Sequence, residues 1–283
     1  MSTDAKKDAA GLKPFVKWAG GKKQLLAELA SRMPQRYGRY YEPFIGGGAL
    51  LLHVCPENAV INDVNSQLLN IYRQLAKDAE AVIASLARLD AAECDEKVYL
   101  AMRERYNAMI AGNVLDAECA ALMIWINKHC FNGLYRVNGK GLFNVPYNNR
   151  TGGQSMDEGN LRGIGNYLSS AAVEIREGDF AAALCDVQKG DFVYLDSPYI
   201  PVSSTANFTS YAKTGFSRED HERLAREYRR LDALGAKVML SNNDVPLVHE
   251  LYDGFSISSI GVRRAINRDA SARRGREVIV TNY

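Results

Sequence analysis

The chain has 283 residues, of which 47% are hydrophobic and 24% charged, with a formal net charge of +2. That is enough apolar material for one large domain, or one domain carrying an insert, and the near-neutral balance assigns no partner by itself. No apolar run approaches the roughly 20 residues of a membrane span, and the polar start, Met1 to Gly11, reads as a loose tail and not as a signal peptide. Five scattered cysteines (Cys55, Cys94, Cys119, Cys130 and Cys185), never spaced C-x-x-C, argue for a reducing cytoplasm and against a zinc site or a disulfide framework.

Along the chain, Lys17-Trp18-Ala19-Gly20-Gly21-Lys22 precedes any strand pattern. A tryptophan beside two glycines serves either as packing or as a flat wall for a bound ring. Lys22 offers a cation to a carboxylate, and Lys17 one to nucleic acid. The first β-rich run, Tyr40 to Ile45, leads into Gly46-Gly47-Gly48 and an apolar helical pattern. Glycines let the backbone turn sharply and approach a ligand without a Cβ in the way, and a helix N-terminus beyond them favours a ligand's negative end. The next run, Ala59 to Ile61, ends at Asn62-Asp63, where nucleotide-type folds place an acid that accepts hydrogen bonds from a ribose. Three glycines alone also suit a plain structural turn. The turn lacks G-x-G-x-x-G spacing, which favours a small adenosine-containing ligand over a dinucleotide.

A helical pattern over Gln67 to Leu75 follows, and there the alternation of strand and helix stops. Leu, Ala and Met recur with helical period from Ala81 to Trp125, and a Gly/Asn/Tyr-rich segment runs from Asn127 to Asn149. Alternation resumes with Val173 to Ile175, whose end carries Gly178-Asp179-Phe180, an acid and an aromatic suited to an adenine ring. The buried run Phe192 to Leu195 leads directly into Asp196-Ser197-Pro198-Tyr199. Here a carboxylate and the Ser197 main-chain carbonyl can accept both hydrogens of an exocyclic amine, leaving its lone pair free to attack an electrophilic methyl group. Tyr199 can stack on the base that carries the amine. Positioning and electrostatics suffice for such a step, so no metal is expected. A helix over Arg218 to Leu234 and strands at Lys237 to Leu240, Phe255 to Ile260 and Val278 to Val280 complete the pattern. Between the last two, Arg263 to Arg276 holds six arginines and one acid, Asp269, either a solvated loop or one that meets phosphates. The alternation predicts an α/β domain with a largely parallel sheet, interrupted by a mostly helical insert.

These motifs, with Phe131-Asn132-Gly133-Leu134-Tyr135-Arg136, Phe143-Asn144-Val145-Pro146-Tyr147, Phe208-Thr209-Ser210-Tyr211 and Ser241-Asn242, resemble in sequence and order the alpha group of Dam-type adenine-N6 DNA methyltransferases, and especially the Dpn-type enzymes of restriction systems. The resemblance implies a Rossmann-like class I methyltransferase fold with a seven-stranded mixed sheet. Residues 1–74 and 161–283 would form the catalytic domain, and 75–160 a helical DNA target-recognition insert. It implies S-adenosylmethionine as methyl donor, double-stranded DNA as partner with GATC as target, no membrane, and no obligate protein partner. Trp18, Ala19, Gly20, Lys22, Phe44, Gly46, Gly48, Asp63, Asp179, Phe180 and Asp196 fall around the donor. Asp196, Ser197, Pro198 and Tyr199 fall at the flipped adenine, and Lys17, Asn132, Leu134, Tyr135, Arg136, Asn138 and Pro146 on the DNA. A guanidinium such as that of Arg136 bonds both O6 and N7 of a guanine. One departure stands out: the related pattern is Asp-Pro-Pro-Tyr, and Ser197 replaces its first proline. Serine keeps the carbonyl acceptor but loses the fixed φ. Two other readings share these residues: cytosine-N4 methylation, and a DNA-binding pseudoenzyme.

Overall fold

The computed structural model describes residues 11–22, 24–150, 155, 157–201, 216–263 and 274–283. The Phe208 to Tyr211 segment and most of the arginine run, residues 264–273, lie outside the described residues.

Each apolar run singled out above contributes one strand to a seven-stranded sheet. In chain order these are β1 (Tyr40–Glu42), β2 (Asn58–Asp63), β3 (Ala172–Glu177), β4 (Phe192–Leu195), β5 (Lys237–Asn243), β6 (Ser256–Arg263) and β7 (Arg274–Thr281). Their spatial order is β3-β2-β1-β4-β5-β7-β6. Pairing is parallel from β3 through β5, while β7 runs against both β5 and β6. This is a Rossmann-like mixed sheet. The order reverses between β1 and β4, and open α/β sheets bind ligands at such a reversal, beyond the carboxyl ends of the strands.

The central strands are buried on both faces, which explains why they read as continuous apolar runs. Alternate side chains divide between two cores. Tyr40, Ala59, Ile61, Phe192, Tyr194 and Met239 face one, and Tyr41, Val60, Val193, Leu195, Val238 and Leu240 face the other.

On the first face lie α1 (Leu26–Arg32), α2 (Ala49–Val54), α3 (Ser66–Asp90), α4 (Glu96–Ala111), α5 (Ala117–His129) and α6 (Glu158–Ser170). Helix α3 packs against α5 and α6. It is two helices end to end: Asp78 has φ −161° and ψ 88°, and its carboxylate receives the Ala81 N–H at 3.0 Å, as an N-cap does. Helix α5 is buried nearly all round, from Cys119 to Asn127, so its composition follows no amphipathic stripe. The core of this helical layer is continuous with that of the sheet face, running from Leu50 and Tyr72 through Trp125 to Tyr147.

The opposite face is covered by α7 (Phe180–Ala183), α8 (Arg218–Leu234) and α9 (Pro246–Leu251). Ser217 and Asp220 form a reciprocal capping box at the start of α8, and Gly235 closes it at φ 84°. None of the five cysteines is in a disulfide among the described residues, and no helix among them is long and apolar enough to cross a membrane.

Candidate active site

The acids singled out in the sequence meet at the carboxyl edge of the sheet. The first strand ends early, at Glu42, and the chain turns through Pro43 to Gly48. Gly46 has φ +47°, and a Cβ there would meet the Trp18 ring at 2.8 Å, so the turn has room only for glycine. The turn is held by Tyr72, whose hydroxyl donates to the Gly46 carbonyl at 3.0 Å, and by Asp63, which accepts the Gly46 N–H at 3.1 Å and the Asn65 N–H at 3.0 Å. Burial pushes the Asp63 carboxyl up to about 6, with the Asn65 and Gly46 N–H groups pulling it back. The buried Asn62 amide donates to the carbonyls of Pro43 and Gly178, both at 3.0 Å, so the glycine turn and the loop after β3 are tied together.

Beyond that loop, Asp179 caps α7 through the Ala181 N–H at 2.9 Å and pairs with Arg223 at 2.6 Å. The Arg223 guanidinium also lies 4.3 Å from the centroid of the Phe180 ring. Phe180 packs on Phe44 at 5.3 Å, and Phe216 stands edge-on to Phe44 at 5.8 Å. The sequence pointed to Phe44, Asp179 and Phe180 but not to Phe216 or Arg223. Gly48 sits at φ +67°, at the head of α2.

Asp196 directly follows β4. Its Oδ1 receives the Lys22 ammonium at 2.7 Å and the Ser241 hydroxyl at 2.9 Å, and the Ser241 Oγ is 2.9 Å from the hydroxyl of buried Tyr194. The other carboxylate oxygen, Oδ2, makes no hydrogen bond among the described residues. Burial raises the Asp196 carboxyl, and Lys22 and Ser241 pull against it. For Lys22, burial would lower the ammonium, but Asp196 and Tyr199 outweigh it and hold the group above the usual lysine range. Lys22 also donates to the Gly20 carbonyl at 2.5 Å and sits 4.6 Å from the Tyr199 ring centroid. The partner expected for Lys22 was a ligand carboxylate; the structure instead directs it into the Asp-Ser-Pro-Tyr motif.

Tyr199 is anchored at its hydroxyl by Glu277 of β7 at 2.9 Å, and the loop beyond it by Asn242, whose Oδ1 accepts the Ile200 N–H at 2.9 Å. Pro198, between Ser197 and Tyr199, is half-buried. The Ser197 hydroxyl is buried without a hydrogen-bond partner among the described residues. Glu42, which the sequence reading left out, lies fully buried beneath this group. Burial pushes its carboxyl up to about 8, against the hydrogen bond that Tyr40 donates at 2.6 Å.

A second group of residues flanks the first. After α5 the chain makes a 3-10 turn (Phe131–Gly133) with Asn132 at φ 56°, then a hairpin-like excursion closed by bridges Cys130–Tyr147 and Val137–Phe143. Lys17, Asn132, Arg136, Asn138 and Pro146 are exposed and Leu134 is half-buried. The exposed ring of Phe131, missed by the sequence reading, stands on the same turn. Arg136 is held by Asn144, its Nε donating to Oδ1 at 2.8 Å and its Nη2 to the carbonyl at 3.2 Å. Two expected DNA contacts find partners inside the protein. Tyr135 is only 6% exposed and stacks on Trp18 with centroids 5.2 Å apart. The Asn138 side-chain oxygen, Oδ1, accepts the N–H groups of Lys140 and Leu142, which shape the loop. Half-buried Ala19 and exposed Gly20 complete the turn behind Trp18.

Residues 18–266 match the family described as D12 class N6 adenine-specific DNA methyltransferase. A type II methyltransferase, M1.LlaDCHI of Lactococcus lactis subsp. cremoris, is 43% identical over 98% of this chain and 98% of its own length. M.MjaIII of Methanocaldococcus jannaschii, another type II methyltransferase, is 37% identical over 96% of this chain and 99% of its own. A DNA adenine methylase of Vibrio cholerae is 32% identical over 92% and 91%.

Proposed function

Because the chain belongs to the D12 class of N6 adenine-specific DNA methyltransferases, we propose that it transfers a methyl group from S-adenosylmethionine to N6 of an adenine flipped out of duplex DNA, within GATC. The observation that carries the reading is the Asp196 carboxylate at the end of β4, whose Oδ1 is held by Lys22 and Ser241 while its Oδ2 makes no hydrogen bond among the described residues. With Oδ1 saturated, Asp196 presents one acceptor in one direction. It takes one hydrogen of the amine while the Ser197 main-chain carbonyl takes the other, and the nitrogen lone pair is left pointing away from both. The raised Asp196 carboxyl also suits it to receive the proton that the amine sheds on methylation.

The residues around the glycine turn fit the donor. Gly46 admits no Cβ, the Asp63 carboxylate is fixed by two backbone N–H groups with lone pairs left for a ribose diol, and Trp18, Phe44 and Phe180 offer flat apolar walls. When bound there, S-adenosylmethionine supplies an electrophilic methyl group. The excursion at residues 131–146, with Lys17, reads bases in the major groove, and residues 75–160 act as the recognition insert. Extruding the base costs a few kcal/mol, and Tyr199, fixed at its hydroxyl, offers a ring on which the base can stack.

The test is a GATC duplex incubated with methyl-labelled donor, followed by base analysis. Label in N6-methyladenine is the expected result. Label in N4-methylcytosine, or none, would reassign the protein to the cytosine reaction or to binding without turnover. Asp196→Ala should retain donor binding and lose about two to three orders of magnitude in rate, the usual cost of removing one preorganised charge-stabilising group. Near-normal turnover in that variant would refute the role of Asp196.

A further inference from the structure

The two groups of residues described above are joined through one buried side chain that takes no part in the proposed chemistry of transfer. Asn127, near the end of α5, is 4% exposed. Its Oδ1 accepts the Lys17 N–H at 2.8 Å, and its Nδ2 donates to the Lys17 carbonyl and to the Gly133 carbonyl, both at 3.0 Å. The amide thus pairs with Lys17 as a neighbouring strand would, donor to acceptor and acceptor to donor, and spends its remaining N–H on the turn at residues 131–133. No other uncharged side chain of this size offers one acceptor and two donors in a plane.

Two further contacts tighten the same joint. Gly133, at φ +64°, has no Cβ because the Lys17 side chain lies there: an added Cβ would meet Lys17 Cδ at 2.5 Å and its Cβ at 2.8 Å. One residue on from Lys17, the Trp18 ring stacks on Tyr135, two residues beyond Gly133. Segment 17–18 therefore has little freedom to move without segment 131–136.

We infer that Asn127 is a positioning residue for base readout, fixing Lys17 and the 131–136 turn as one rigid reading head whose other end is the Trp18 wall of the donor site. Lys17 is a long, flexible cation, and alone it would track phosphates with little preference. Pinned at both backbone groups and laid along Gly133, it projects from one place with one register relative to Arg136. The amide touches no base; it acts through Lys17 and the turn. This inference rests on the proposal that residues 131–146 and Lys17 read bases.

The experiment is single-turnover methylation of a GATC duplex and of duplexes altered at one base pair. The proteins are wild type, Asn127→Ala, Lys17→Ala, the double variant, and Gly133→Ala, with donor affinity and thermal stability measured on each. Asn127→Ala is expected to lose at least tenfold in the ratio of cognate to altered rates, and to add no further loss in a protein that already carries Lys17→Ala, since residues acting through one contact are not additive. Gly133→Ala, which displaces the Lys17 side chain from an exposed turn while leaving α5 intact, should lose discrimination in the same way even if Asn127→Ala does not fold. A wild type without sequence preference overturns the base-reading proposal and this inference with it. A discriminating wild type whose preference survives Asn127→Ala or Gly133→Ala, or losses that add to those of Lys17→Ala, overturns this inference alone and leaves Asn127 a structural bond.

Discussion

Ser197 offers the sharpest quantitative test, because two substitutions there separate two physical effects. Its side chain is 2% exposed and its hydroxyl has no partner among the described residues. A hydroxyl taken out of water without a hydrogen bond costs about 1–3 kcal/mol. Ser197→Ala removes that group and little else, and should stabilise the protein by the same amount. At about 2–4 °C per kcal/mol for a chain of this order of size, the melting temperature should rise by roughly 2–12 °C. Ser197→Pro removes the hydroxyl and also restricts the unfolded chain, which adds about 0.4–1 kcal/mol where the backbone accepts proline. The related pattern carries proline here, and the Ser197 N–H makes no hydrogen bond among the described residues that proline would break. The proline form should therefore melt roughly 1–4 °C above the alanine form.

Turnover is the second readout. The acceptor proposed at this position is the main-chain carbonyl, which all three forms keep, so single-turnover methylation of a GATC duplex should stay within about tenfold across them. An alanine form no more stable than wild type would show that the hydroxyl is satisfied and the reasoning wrong. An alanine form that is stable but inactive would move the hydroxyl into the chemistry. If only the proline form makes product, the chain with Ser197 is a binding protein and not a working enzyme.

Two other predictions follow from the same geometry. Arg136→Ala should relax preference at one base pair by about tenfold or more, since a bidentate contact discriminates by about 1–3 kcal/mol; rates on singly altered duplexes measure this, and a uniform fall on every sequence would make Arg136 a phosphate contact. Glu42 in the folded protein holds its proton up to about pH 8, against 4.5 as an ordinary carboxyl. The folded state therefore binds that proton more tightly than the unfolded chain, and the stability involved is present at low pH and lost as pH rises through that interval. Glu42→Gln should raise the melting temperature more at pH 8.5 than at pH 4.5, and an equal shift at both would show that Glu42 is ionised throughout.

What the sequence determined on its own was whatever depends on neighbours a few residues away. The seven strands were legible because buried strands of a parallel sheet are short apolar runs bounded by turns, and each of the seven runs became a strand. The acids Asp63, Asp179 and Asp196 were legible because each lies within a few residues of the end of such a run, and a strand end in this kind of sheet is where ligands bind. The break at Asp78 within α3 falls between the two helical patterns that the sequence shows, one ending at Leu75 and the other starting at Ala81. The charge partners could not be read. Lys22 and Asp196 meet across 174 positions because the segment before β1 crosses the end of β4, and nothing local marks the ammonium for that carboxylate rather than for a ligand. The stacking of Tyr135 on Trp18 could not be read either, since nothing local pairs those two rings. Asn127 carried no signal at all: its three bonds go to Lys17, 110 residues earlier, and to a carbonyl in the next turn. Local periodicity decides which face of an element is buried; which polar groups meet over that buried surface depends on how elements distant in the chain pack, and only the tertiary structure decided it.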